Sequence, residues 1–342
     1  MRWLLLGVGA IGGYVGGSLA LSGETVTFLE RAAVAENLRQ QGLRLQIRGQ
    51  RQHLQALHVV TSLAEAFQSG RYDVAVLAVK SYDTAGVLEM LLPHRADLPP
   101  LLSLQNGVEN EVHLEQALGQ GQVLRGTVTS AIGRQAGEIV LERWRGLGVA
   151  NEHAVAPALV SAMNGAGLRA RLFANGPAMK WSKMLTNLLA NASAALLNWS
   201  AAQVFAHPQL YRMEMRQLHE ALTVMRVLHL PVLNLPGTPV RALTFAAGLP
   251  AWLGQRLLRR ALGSGRGGKM PSFHIDLHSG SGKSEVTFLN GAVVRLGHEQ
   301  GLDAPVNRRL TELLLAVTSG KLPLNTFENR PEALLEVVYE RS

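Results

Sequence analysis

The chain of 342 residues contains no cysteine. That excludes disulfide stapling, thiol catalysis and cysteine-ligated zinc. No apolar run is long enough to span a bilayer without a glycine or a charge. The opening Arg2-Trp3-Leu4-Leu5-Leu6 has the outline of a secretory leader, but Gly7, Gly9, Gly12, Gly13 and Gly16 interrupt what would be its apolar core. There is no internal repeat and no low-complexity segment. There is no HExxH motif either. His274 and His278 stand four apart with Asp276 between them, but no further ligand completes a metal site. These absences leave a cytoplasmic protein without a metal or a membrane partner as the expectation.

The charge balance is one-sided, with a formal net charge of +8. Its densest cluster is Arg256, Arg259, Arg260, Arg266 and Lys269, which has no interleaved aromatics and fits no nucleic-acid motif. A solvated basic face that steers an anionic small molecule is the expectation, with no nucleic-acid partner. Hydrophobic residues make up 47% and charged residues 17%, enough for two cored domains at this length.

The first half alternates apolar runs with amphipathic ones. Residues 3–6, 26–29, 74–79, 101–104 and 122–125 read as strands, and 31–41 and 81–92 as helices. Residues 43–47 and 58–60 add a small strand excursion. Strand–helix alternation predicts a doubly wound parallel sheet of the α/β Rossmann type. Near Ala174-Asn175-Gly176-Pro177 the texture becomes helical. The expected division is a dinucleotide-binding domain over 1–174 and an all-α substrate domain over 175–342. Helices are expected over 179–197, 208–229, 288–300 and 307–318. The glycine-rich stretch 263–268 reads as a flexible loop.

Gly7-Val8-Gly9-Ala10-Ile11-Gly12 follows an apolar strand and opens a helix. The first glycine permits the turn, the second lets backbone approach a pyrophosphate, and the third lets helix pack on strand. The helix N-terminus then presents free N–H groups to an anion. At the end of the second strand an acid would bind the ribose hydroxyls of NAD, and a base would accept the 2′-phosphate of NADP. The sequence offers both, Glu30 and then Arg31, so the residue types alone leave that choice open.

Ligands of open parallel sheets sit at the carboxyl ends of the strands. Lys80 and Asn106 close two of the predicted strands, and residues 126–132 follow the next on the same edge. Taken singly, Lys80 could be a return to solvent and Asn106-Gly107 a turn. In the second half, Lys183, Asn187 and Asn191 are spaced by four among Met184, Leu185, Leu188 and Leu189. On one helix they share a face. A lysine can protonate an oxygen that gains charge, and amides can orient it. Asn198 would join them only if the helix breaks. Ser272 after Pro271 reads as a helix cap and Glu285 as a first-turn carboxylate.

Together these residues resemble the ketopantoate reductase (2-dehydropantoate 2-reductase) family. The resemblance runs through the Gly7–Gly12 fingerprint, Arg31, Lys80, Gln105-Asn106-Gly107, residues 126–132, Lys183, Asn187, Asn191, Ser272, Asp276, Glu285, Asn290-Gly291 and Pro305-Val306-Asn307. It implies a Rossmann domain followed by a helical domain like that of 6-phosphogluconate dehydrogenase. It implies NADP(H) as cofactor, held by Gly7, Val8, Gly9, Ala10, Ile11, Gly12, Arg31, Lys80, Asn106 and Ile132. It implies a 2-keto acid substrate held by Asn106, Lys183, Asn187, Asn191 and Ser272, with Lys183 as proton donor and Glu285 completing the catalytic site. The implied reaction is reduction of 2-dehydropantoate to (R)-pantoate, by a monomer or homodimer. The sequence departs from the family pattern at Glu30 beside Arg31, in a spacer between Asp276 and Glu285 one residue longer, at Ala201 in place of a polar residue, and in added length over 235–268. Two alternatives stay open: a reductase of the same fold acting on another 2-keto acid, and a non-catalytic dinucleotide sensor, which would need no proton donor.

Overall fold

The computed structural model describes residues 1–266 and 270–340, with the backbone alone over 260–266. The chain divides into two units, residues 1–180 with 235–238, and residues 181–234 with 239–342.

The first unit carries all twelve strands found among the described residues. They are β1 (Arg2–Leu6), β2 (Thr25–Leu29), β3 (Leu43–Ile47), β4 (Gln50–Leu54), β5 (His58–Val60), β6 (Val74–Leu77), β7 (Leu101–Ser103), β8 (Val123–Val128), β9 (Ala131–Gln135), β10 (Glu138–Arg143), β11 (Leu147–Ala150) and β12 (Ala170–Phe173). Its helices are α1 (Ala10–Leu21), α2 (Ala32–Gln41), α3 (Leu63–Gln68), α4 (Thr84–Leu91), α5 (Asn110–Leu118) and α6 (Ala156–Gly165). The main sheet has the order β12-β11-β8-β7-β6-β1-β2-β5. It is parallel from β8 to β5, with β11 antiparallel to β8. A second sheet, β4-β3-β10-β9, stands apart from it.

The apolar runs are continuous because both sheet faces are covered. Along β1, Trp3 and Leu5 enter the core with Tyr14, Val15 and Leu19 of α1, while Leu4 and Leu6 enter the opposite core with Leu63, Leu91 and Leu114. This is the α/β dinucleotide-binding fold the pattern predicts. Several boundaries differ. The strand expected over 74–79 ends at Leu77, and the helix expected over 81–92 opens with a short 3₁₀ turn, Ser81–Asp83, before α4. Residues 126–132 do not follow one edge. They leave β8 at Val128 and enter β9 of the second sheet.

The second unit is helical: α7 (Gly176–Leu188), α8 (Ala192–Leu197), α9 (Ala201–Ala206), α10 (Pro208–Val227), α11 (Val240–Ala247), α12 (Ala251–Arg266), α13 (Ser272–His278), α14 (Asn290–Glu299), α15 (Pro305–Thr318) and α16 (Pro331–Tyr339). The turn at residue 174 immediately precedes α7, which runs through the division after Lys180. The loop expected over 263–268 is helix as far as Arg266, while Gly267, Gly268 and Lys269 lie outside the described residues. Among the described residues, no helix is long and apolar enough to cross a membrane.

The single helix expected over 179–197 is two. Ala190 takes a left-handed conformation (φ 46°), which a non-glycine residue adopts only when its surroundings hold it. Here α10 does the holding. Its fully buried Glu214 accepts the Ala190 N–H (2.7 Å) and the Ser193 hydroxyl (2.5 Å), and its buried Gln217 donates to the Leu188 carbonyl (3.1 Å). The backbone groups orphaned by the break thus find partners on a neighbouring helix.

Candidate active site

In the first unit the glycine loop is built from both ends. Gly7 has φ +93°, and a Cβ there would lie 2.7 Å from Val79 Cγ1. A Cβ on Gly12 would strike the Gly7 carbonyl. Gly9 caps α1, and a Cβ there would meet nothing within 4 Å. The first turn of α1 has no side-chain cap, so its N–H groups remain for an anion. This fits a dinucleotide pyrophosphate: Gly7 is required by its positive φ and the close Val79 side chain, Gly12 by close backbone, and Gly9 leaves open space for the ligand.

Val8 is held on both sides. Glu30 Oε1 accepts the Val8 N–H (2.6 Å), and Arg134 on β9 donates to the Val8 carbonyl (2.7 Å). Arg134 was not legible as a site residue, because its strand belongs to a sheet that only the tertiary fold brings to the loop. Ile132, two residues earlier on β9, is buried. Glu30 Oε2 also accepts the Arg31 N–H (3.1 Å). The Glu30 carboxylate is thereby turned towards the loop, whereas Arg31, at the N-terminus of α2, is exposed.

Lys80 lies three residues beyond β6, half-buried, at the start of the 3₁₀ turn. Asn106 lies three residues beyond β7, before Gly107 at φ +87°. Its carbonyl accepts from the Ser81 hydroxyl (3.0 Å) and Asn110 Nδ2 (2.6 Å). The Gln105 side chain donates to the Val79 carbonyl (3.2 Å) and Thr84 Oγ1 (2.8 Å). The segments that carry Lys80 and Asn106 are therefore tied together by Gln105, already part of the Gln105-Asn106-Gly107 triplet, and by Asn110, a positioning residue that the sequence reading missed.

In the second unit, the part of α7 from Trp181 to Leu188 is buried except at Lys183, Thr186 and Asn187. These three form its one partly open stripe, at i, i+3 and i+4. Thr186, whose hydroxyl donates to the Lys183 carbonyl (2.7 Å), was not expected there. Asn191 does not continue this face. It begins α8 after the break, and its Nδ2 reaches back to the Asn187 carbonyl (2.9 Å) and across to Ser272 Oγ (3.2 Å). The expected cap by Ser272 is absent. Ser272 is already inside α13, and Asn191 Oδ1 accepts the Phe273 N–H (3.0 Å) in its place. Glu285 is fully buried in the first turn of a 3₁₀ helix whose cap is the Ser284 hydroxyl.

Asn198 turns away despite the break. It donates to Glu328 (2.8 Å) and accepts from His274 Nε2 (2.7 Å). Burial, and then the adjacent His278, hold the His274 imidazole below its ordinary pKa. No group of three His, Asp or Glu able to hold a metal occurs among the described residues.

The buried Asn191 amide supports two segments at once. Asn191→Ala is expected to destabilise the protein by about 1–2 kcal/mol, since the Phe273 N–H loses its cap. Urea denaturation would measure this, and an unchanged midpoint would refute the capping role.

A glycine cradle on a doubly wound sheet, followed by a helical unit that presents a lysine and amides, defines a nicotinamide-dinucleotide oxidoreductase. Residues 3–151 match the family described as Ketopantoate reductase PanE/ApbA, and residues 177–318 its C-terminal part. The chain belongs to the ketopantoate reductase family. It is 27% identical over 326 residues to the 2-dehydropantoate 2-reductase of Halobacterium salinarum, covering 92% of this chain and 98% of that one. It is 27% identical over 324 residues to that of Archaeoglobus fulgidus, covering 93% and 98%. The PanE/ApbA family ketopantoate reductase of Ralstonia eutropha has the same fold, with a TM-score of 0.78 at 23% identity over 94% of this chain and 99% of that one. So has D-mandelate dehydrogenase, solved with NADH and anilino(oxo)acetate, at 0.77 and 21% over 95% and 99%.

Proposed function

We propose that the protein reduces 2-dehydropantoate to (R)-pantoate with NADPH, a step towards pantothenate and coenzyme A. Residues 1–174 serve the cofactor and residues 175–342 the substrate. The observation that carries this reading is the open Lys183–Thr186–Asn187 stripe on an otherwise buried stretch of helix, beside the bonded Asn191–Ser272 pair. It is supported by the resemblance, which gives Arg31, Lys80, Asn106, Lys183, Asn187, Asn191, Ser272 and Glu285 as site residues in that order along the chain.

When bound, the nicotinamide supplies a hydride to the keto carbon. Lys183 donates a proton to the keto oxygen as it gains charge. Asn106, Asn187, Asn191 and Ser272 orient the keto acid, and Glu285 acts with Lys183. Gly7 to Gly12 and the N-terminus of α1 hold the pyrophosphate. The exposed guanidinium of Arg31 takes the 2′-phosphate, while Glu30 is engaged by two backbone N–H groups.

The test is cofactor oxidation with 2-dehydropantoate and a panel of other 2-keto acids, with NADPH and with NADH. The expected result is the highest kcat/KM for 2-dehydropantoate with NADPH. Arg31→Ala should raise the KM for NADPH about tenfold or more, as lost charge-assisted phosphate bonds imply, and leave that for NADH nearly unchanged. A preference for another keto acid would overturn the substrate. Equal effects of Arg31→Ala on both cofactors would overturn the phosphate assignment.

A further inference from the structure

Lys180 lies one turn before Lys183 in α7 and has no part in the reaction described above. Its side chain is only 3% exposed. The ammonium makes one ion pair and two hydrogen bonds. It lies 2.7 Å from Glu111 Oε1 and donates to the Gln105 carbonyl (2.5 Å) and the Gly126 carbonyl (3.3 Å). All these residues belong to the first unit. Glu111, on α5, is fully buried, and apart from this ammonium neither carboxylate oxygen meets a hydrogen-bond donor among the described residues. On neighbouring β8, Arg125 is disfavoured by burial but held above its ordinary pKa by Glu152, Glu115 and Glu111.

A buried ion pair is weak evidence for stability, because desolvation offsets most of the attraction. What this pair does geometrically is specific. The Gln105 carbonyl belongs to the same rigid peptide plane as the Asn106 N–H. Lys180 holds that plane. Ser81 and Asn110 hold the next one, through the Asn106 carbonyl. With both flanking peptides fixed, the φ and ψ of Asn106 are fixed, and so is the direction in which its side chain leaves the backbone. The bond to Gly126 ties the same ammonium to β8, the strand next to β7.

We propose that Lys180 and Glu111 form a positioning pair that sets the Gln105–Asn106 peptide. Glu111 aims the ammonium, and Lys180 orients Asn106 without touching substrate or cofactor. The consequence for catalysis rests on the reading above that Asn106 serves both nicotinamide and substrate.

Lys180→Met alone would strand a buried carboxylate and is at risk of misfolding. The informative variant is Lys180→Met with Glu111→Leu, which removes both charges at similar volume. Hydrogen–deuterium exchange of peptides covering residues 104–107 should become at least about tenfold faster, with β1 and β2 unchanged. Independently, kcat should fall about ten- to a hundredfold, as a misplaced group implies, while NADPH affinity and keto-acid KM shift far less. Unchanged exchange at 104–107, or a wild-type kcat, would overturn the inference. A double variant that does not fold would assign the pair to stability and overturn it too. Faster exchange in a protein whose wild type reduces no keto acid would keep the positioning role and remove the proposed reaction.

Discussion

Lys183→Ala is expected to lower kcat by about a hundredfold or more, the range general acid catalysis supplies, with NADPH affinity retained. The side chain emerges on the open stripe of α7, while Met184, Leu185 and Leu188 bury the remainder of that turn. Truncation at Cβ removes the ammonium and leaves those buried residues in place. The cofactor cradle lies in the other unit. Steady-state NADPH oxidation gives kcat, and fluorescence titration gives the cofactor dissociation constant. A kcat within a few-fold of wild type would remove Lys183 from the chemistry. A parallel loss of NADPH binding would instead mean that the substitution had damaged the fold.

The second large effect is at the glycine loop, where two glycines should fail differently. Gly12→Val drives a side chain into the Gly7 carbonyl and against Ala78 Cβ, 3.1 Å from the added Cβ. Backbone cannot yield as a flexible side chain can, so α1 must move off β1. The expected cost is about 1–3 kcal/mol or more from overpacking, seen as a lower melting temperature together with lost NADPH binding. Gly9→Val adds its atoms to open space. It should melt near the wild-type temperature yet weaken NADPH at least about tenfold, because a backbone that must approach the pyrophosphate no longer can. Thermal melts and titrations of both variants separate the two roles. Tight NADPH binding by Gly9→Val would show that the pyrophosphate does not lie where the cradle opens.

The legible part of the site followed from local rules. Gly7, Gly9 and Gly12 are spaced by the demands of one turn, and Lys183 and Asn187 by one helical turn, so neighbours in sequence were enough. The missed residues have no such signature. Arg134 reaches Val8 across 126 positions, and Lys180 reaches Gln105 across 75. An arginine in a hairpin and a lysine in an apolar helix look the same whether they face solvent or a buried carbonyl. Strand β4, with the sequence Gln-Arg-Gln-His-Leu, lacks the apolar alternation that marks a strand, and it forms because β3 supplies partners. The break between α7 and α8 also escaped detection, since Leu188-Leu189-Ala190 contains neither glycine nor proline. Its cause is Glu214 on α10, whose carboxylate takes the Ala190 N–H.

The sequence by itself determined the alternation of strand and helix, the glycine turn, the parallel sheet and the helical second unit. Each depends on hydrophobic period and backbone permissiveness, which are properties of a few consecutive residues. Only the tertiary structure decided that Glu30 faces the loop while Arg31 faces solvent, that Asn191 leaves the helix to cap α13, and that Lys180 is an internal clamp and not a surface charge. Those outcomes depend on which distant backbone groups need a hydrogen-bond partner once water is excluded, and a buried N–H or C=O takes the donor or acceptor that folding brings within reach, wherever it lies in the chain.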